Sequence, residues 1–180
     1  GIRDKLVTGV QTCALPISGT VQSTNTAISL GDSDTPVVLT ANTTLSGNTS
    51  GNITLGGTVN GGFTLTLNTT GTTTLSGVIG GSNALTSLTT NTGGTVAINT
   101  TAITTTGAQT FGENATLGAD VTLTSNSSGN ISFAGTVEST TSARALTVNT
   151  SGTTTFTGTV GATSPYLRSE EHMSELQSLA

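Results

Sequence analysis

Leu65–Gly80 reads LTLNTTGTTTLSGVIG, and 81 residues later Leu146–Gly161 reads LTVNTSGTTTFTGTVG. Upstream, Leu39–Val59 (LTANTTLSGNTSGNITLGGTV) returns 78 residues later as Leu117–Val137 (LGADVTLTSNSSGNISFAGTV). A chain that echoes itself at a fixed distance is one that packs on copies of itself. The offset grows by 3 between the two echoes, which places a small insertion, and with it an outward loop, near Glu138–Arg144.

Within each block apolar residues alternate with Thr or Ser: Phe63, Leu65, Leu67; Val96, Ile98; Val121, Leu123; Ile131, Phe133; Leu146, Val148. A period of two is that of half-buried strands, so these side chains point inward while Thr64, Thr66, Thr122, Thr124 and Thr147 point outward. Asn60-Gly61-Gly62, Asn68–Gly71, Gly80-Gly81 and Asn91–Gly94 interrupt the strands as turns. Either a parallel β-helix or an antiparallel β-sandwich accommodates this spacing. The repeat favours the β-helix (β-solenoid), with each long unit of about 80 residues holding about four coils of roughly 20. Both copies of the long block are then expected in like environments.

Composition agrees with thin, regular packing. Thr occurs 44 times and Gly 24 times in 180 residues, while 7% of residues are charged and 3% aromatic. Thr is β-branched and favours strands, and an ordinary globular domain carries about 25% charged residues. A net charge of −5 argues against nucleic acid, which requires clustered Lys and Arg. No apolar run approaches the roughly 18 residues of a spanning helix. Cys13 has no second cysteine with which to pair.

The two ends differ from the middle. Residues 1–18 and 168–180 hold 7 of the 13 charged side chains, with Cys13, His172, Met173 and the only Lys. Gly1–Asp4 and Val7–Ile17 resemble a translation of a common high-throughput sequencing adapter, with Lys5-Leu6 where its variable index falls. Arg168–Ser178 resembles the same adapter in the opposite orientation, departing only at Met173, and the two inferred DNA stretches are reverse complements. Both ends are therefore expected to be adapter-derived artefacts, and 19–167 the β-solenoid repeat segment. Ser169–Leu179 (SEEHMSELQSL) has the composition of a short helix.

The repeat segment contains no His, Cys or Lys and five acids, so no catalytic triad can be assembled from it. Asp32 and Asp34 are the one close carboxylate pair; an acidic dyad could cleave a polysaccharide, but GDSDTP reads more strongly as a turn. Glu113, Asp120 and Glu138 read as solvated edge charges. The calcium-binding nonapeptide of β-rolls is absent. Nine Asn-x-Ser/Thr sequences, including those at Asn68 and Asn149, read as chance in a chain rich in both residues, with the Asn side chains stacking at turns. Thr64/Thr66, Thr72/Thr74, Thr104/Thr106, Thr122/Thr124 and Thr153/Thr155 raise a flat hydroxyl array, as an ice-binding solenoid would need.

The blocks TLTLNTTGTTTLSGVIGGSNALTSLTTNTGG and TTTGAQTFGENATLGADVTLTS resemble repeats of filamentous-haemagglutinin-like and autotransporter adhesins, a resemblance that covers 39–163. It implies a right-handed parallel β-helix at the bacterial cell surface, associated with the outer membrane or secreted. The expected role is structural or adhesive, not enzymatic, with host surface glycans or proteins as partners and further solenoid repeats as neighbours. No catalytic, cofactor-binding or metal-binding residue is expected.

Overall fold

The computed structural model describes residues 14–163 and the strand Arg168–Ser169. The described residues contain no helix. In chain order the strands are β1 (Leu15–Gln22), β2 (Ile28–Leu30), β3 (Val37–Ser46), β4 (Ile53–Leu55), β5 (Val59–Asn60), β6 (Thr64–Asn68), β7 (Thr72–Leu75), β8 (Ser87–Thr90) and β9 (Thr95–Ile98). There follow β10 (Ala102–Thr105), β11 (Gln109–Phe111), β12 (Asn114–Leu117), β13 (Val121–Ser125), β14 (Ile131–Phe133), β15 (Val137–Ser139), β16 (Ala145–Asn149), β17 (Thr154–Phe156) and β18 (Arg168–Ser169).

These strands form three parallel faces wound by one chain. On the first, β1, β3, β6, β8, β11, β14 and β17 follow one another; on the second, β2, β4, β7, β9, β12 and β15. The third begins with Leu15–Ile17 paired to Val37–Leu39 and passes through β5 and Ile79 to β10, β13, β16 and β18. Each lap visits the first, second and third face in turn and lands 19 to 25 residues further on, as Thr95 to Asn114 and Ile28 to Ile53 illustrate. The result is a parallel β-solenoid of about six turns, and the antiparallel sandwich is excluded. Parallel strands joined by crossovers take the right-handed sense almost without exception, and the fold is consistent with a right-handed β-helix.

The alternation read from the sequence produces the core. Leu65, Leu67, Val96, Ile98, Val121, Leu123, Ile131, Phe133 and Leu146 are buried, with Phe63 and Val148 packed partly against them. The intervening Thr64, Thr66, Thr122, Thr124 and Thr147 face outward and are half-buried. Stacking makes each core position a column. One column runs Leu45, Leu67, Thr90, Phe111, Phe133, Phe156. Its rings stack at 4.6 Å for Phe111–Phe133 and 5.2 Å for Phe133–Phe156, each pair contributing about 0.5–1.5 kcal/mol beyond burial. In a neighbouring column Gln109 replaces an aliphatic residue, and its amide donates to the Thr124 carbonyl (2.9 Å) and the Thr105 hydroxyl (3.2 Å). Only the nitrogen end of this buried amide is satisfied: Gln109 Oε1 is buried without a hydrogen-bond partner.

The long repeat is not in phase with the coils. Leu65-Thr66-Leu67 lies on the first face, whereas the matching Leu146-Thr147-Val148 lies on the third. Thr73–Leu75 lies on the second face and its counterpart Thr154–Phe156 on the first. Ile79 belongs to the third and Val160 to the second. Three laps carry Leu65 to Leu88, Gln109 and Ile131, and two further faces reach β16, so the unit spans three and two-thirds turns and not four. Inward and outward positions match between the copies, but the second is rotated by a third of a turn.

The insertion expected near Glu138–Arg144 is an outward loop, with Thr140, Thr141 and Ser142 exposed between β15 and β16. Asn68 and Asn149 sit at strand ends, in register with Ser46 and Thr124. At the expected boundary near residue 18, β1 is continuous and shifts register between Ile17 and Gly19, where the chain passes from the third face to the first. Of the tail in which helix was expected, Arg168 and Ser169 form strand β18, paired to Ala145 and Leu146. Parallel pairing against a ready-made edge overrides the local helix propensity there. Residues 1–13 and 170–180 lie outside the described residues.

Candidate functional site

Register turns scattered Thr residues into one line. On the first face Thr20, Thr44, Thr66, Thr89, Thr110, Ser132 and Thr155 are successive partners, so seven hydroxyl side chains stand in an unbroken outward column. Neighbouring strands lie about 4.8 Å apart, which fixes the spacing of the rungs. The corresponding column of the second face, Ser29, Thr54, Thr74, Ala97, Thr116, Glu138, is broken by Ala97 and ends on an acid.

The five Thr pairs do not form one array. Thr64/Thr66 and Thr153/Thr155 belong to the first face, Thr72/Thr74 to the second, and Thr104/Thr106 and Thr122/Thr124 to the third. Pairs that look alike in sequence are divided among faces because corners of different length intervene.

Corners are tied by side-chain acceptors. Backbone N–H groups of Thr64, Thr72, Thr136 and Thr153 donate to the Oδ1 atoms of Asn42 (3.1 Å), Asn52 (2.9 Å), Asn114 (3.0 Å) and Asn130 (2.9 Å), each one lap below. Those asparagines, read from sequence as incidental glycosylation signals, bridge laps where the strand ladder is interrupted. The N–H groups of Ser82 and Asn83 donate to Asn60 Oδ1 (2.9 and 3.2 Å).

Two acids read as solvated edge charges do the same work. Ala145 N–H donates to Asp120 Oδ1 (3.0 Å), and the N–H groups of Ala162 and Thr163 donate to the two carboxylate oxygens of Glu138 (3.0 and 3.2 Å). Asp32 closes its own turn: Oδ1 accepts from the N–H groups of Asp34 (3.0 Å) and Thr35 (2.8 Å). Those bonds, the Asp34 N–H foremost, hold its carboxyl below the usual carboxylate range. Asp32 is thereby engaged by its own backbone, as the turn reading of GDSDTP expects.

Glu113 is the clear departure from the sequence reading. It is 3% exposed, inside the corner between β11 and β12, and neither carboxyl oxygen has a donor in hydrogen-bonding geometry. Burial pushes its pKa up to about 7, opposed by the nearby Gly94 N–H and Thr90 hydroxyl, which act through proximity without a well-formed bond. The signal was available: Phe111, Glu113, Ala115 and Leu117 alternate with period two, and all four are buried. Phase, and not residue type, decides which way a side chain points.

Among the described residues no three His, Cys, Asp or Glu side chains converge on a metal-sized site. No helix of the described residues is long and apolar enough to cross a membrane. Comparison with protein-family models, with curated proteins and with solved structures finds no match for the chain.

Proposed function

We propose that residues 19–167 are a structural and adhesive segment of a large exported bacterial surface protein, extending a fibre and presenting its loops to host glycans or proteins. The observation that carries this reading is that the long unit packs equally well starting from two different faces, so it can be repeated along one axis without keeping a fixed phase. Each lap adds about 4.8 Å of length through backbone pairing. The resemblance of 39–163 to adhesin repeats supplies the cell-surface setting, and the exposed Thr140–Ser142 loop is the adhesive candidate. Glycan-array and host-cell binding by the purified chain tests the adhesive half. Binding that is lost on replacing Thr140–Ser142 by Gly-Ser-Gly supports it; absence of binding removes adhesion and leaves a spacer.

A second reading is an ice-binding face, favoured by the seven-rung hydroxyl column from Thr20 to Thr155. It predicts thermal hysteresis that disappears in Thr66→Lys and Thr89→Lys; no hysteresis in the unaltered chain rejects it. A polysaccharide-cleaving reading has no such support, since Asp32 is engaged in its turn.

A further inference from the structure

Glu113 reaches into a corner built of oxygen atoms, in the middle of the coil stack. The Cβ that Gly94 lacks would touch the Gly71 carbonyl oxygen and lie 2.7 Å from Glu113 Oε2 and 2.9 Å from the Thr69 carbonyl oxygen. A carboxyl oxygen from above and two carbonyl oxygens from below therefore converge on a cradle that glycine keeps open. Among the glycines of the described residues, Gly94 is the one whose three nearest atoms would all be oxygens. Both carboxyl oxygens of Glu113 are buried without a hydrogen-bond partner, and the residue is 3% exposed. The segments packed around the corner, 68–72 and 90–95 below and 133–137 above, contain no Lys, Arg or His and no other acid. An ionised carboxylate buried among carbonyl oxygens needs a positive charge beside it, because those oxygens present their negative ends to it. The chain supplies none at this corner, so the charge has to come from solution.

We propose that this corner binds one hard monovalent cation, of the sodium class, held by Glu113 Oε2 and the Thr69 and Gly71 carbonyl oxygens. Carboxylate and carbonyl oxygens are hard donors and suit a hard cation. One positive charge cancels one carboxylate, whereas a divalent ion would leave a net charge buried in the corner. The route in is short, since Thr92 and Gly93 are exposed on the rim beside Gly94. A proton competes for the same oxygen. Burial raises the carboxyl pKa to about 7, so the proton holds the site at pH 5 and yields it to the cation at pH 8.

Urea unfolding of the full 180-residue chain, in mixtures of sodium chloride and tetramethylammonium chloride at constant ionic strength, reads the site. Tetramethylammonium carries the same charge but is too large for the cradle, so surface screening is unchanged across the series. At pH 8 each tenfold rise in sodium above its dissociation constant should raise the folded-to-unfolded ratio about tenfold. At pH 5 sodium should have no effect. Glu113→Gln keeps the shape of the side chain and removes its charge, so it should lose the sodium effect at pH 8 while staying folded by circular dichroism. Were that variant to unfold, the contrast between pH 5 and pH 8 in the unaltered chain still decides. No difference between the two salts at pH 8, a sodium effect of equal size at pH 5, or one that survives Glu113→Gln overturns the proposal. A larger effect of calcium that also depends on Glu113 overturns the choice of a monovalent ion.

Discussion

Thr69 and Thr150 stand at different corners of the triangular coil and make the same two hydrogen bonds. The Thr69 hydroxyl donates to the Gly51 carbonyl of the lap below (2.7 Å) and accepts from Gly71 N–H (2.9 Å). The Thr150 hydroxyl donates to the Gly129 carbonyl (2.7 Å) and accepts from Gly152 N–H (2.9 Å). Gly51 and Gly129 are themselves counterparts in the upstream echo, so both members of each stacked pair were copied together. A Cβ at Gly51 would collide with the Thr26 carbonyl, which is why glycine is needed beneath the threonine. What repeats is a strand–corner–strand module with its stacking contacts, indifferent to the face it occupies.

Removing that hydroxyl should cost more at the buried corner than at the open one. Thr69→Val strands the Gly51 carbonyl and Gly71 N–H in a site where Thr69 is 1% exposed, so a loss of about 1–3 kcal/mol is expected. Thr150→Val, partly exposed to water that can replace it, should cost under about 1 kcal/mol. Urea midpoints at unchanged slope measure both.

Glu113 makes stability depend on pH. Its folded pKa of about 7 lies above the ordinary value of 4.5, so the folded state holds the proton more tightly than the unfolded chain. Stability is fully present below about pH 4.5 and falls as pH rises through 7, by about 1.4 kcal/mol per pH unit within that window and on the order of 3 kcal/mol in all. Glu113→Gln should flatten the dependence and raise stability at pH 8, as read from urea titrations at pH 5 and pH 8. An unchanged slope would show that the carboxyl is solvated.

Phe133 stands between two stacked rings. Phe133→Ala removes both contacts and leaves a cavity that neighbours on a regular ladder cannot fill, at a cost of about 3–5 kcal/mol. Phe156→Ala, at the partly exposed end of the same column, should cost clearly less; thermal unfolding of the two variants decides.

At the corners the acceptor matters and the amide nitrogen does not. Asn130→Asp should leave stability within about 0.5 kcal/mol, because Glu138 and Asp120 already serve as carboxylate acceptors elsewhere, while Asn130→Ala should lose about 1 kcal/mol.

The strands and the core were legible because alternation is a local property: Leu65, Leu67, Val96, Ile98, Ile131 and Phe133 declare their direction through their immediate neighbours. Register across laps is not local. It depends on corner length, which varies from the two residues between Phe111 and Asn114 to the six between Ser46 and Ile53, and such differences summed over several laps decide which face a residue reaches. The one-third rotation of the repeat and the hydroxyl column from Thr20 to Thr155 both depend on those sums, so neither could be read from the strands alone. Glu113 was misjudged for another reason: its charge was weighed and its phase was not.

The account stands on successive laps rising in even steps along one axis. Spin labels in a Cys13→Ser background at Thr66/Ser132, Thr44/Ser132 and Thr44/Thr155, read by pulsed electron paramagnetic resonance, measure those steps directly. Three, four and five rungs at about 4.8 Å each predict distances of about 14, 19 and 24 Å, rising linearly once label length is allowed for. Distances that fail to increase in that order, as strands exchanged between two opposed sheets would give, contradict the winding of the chain.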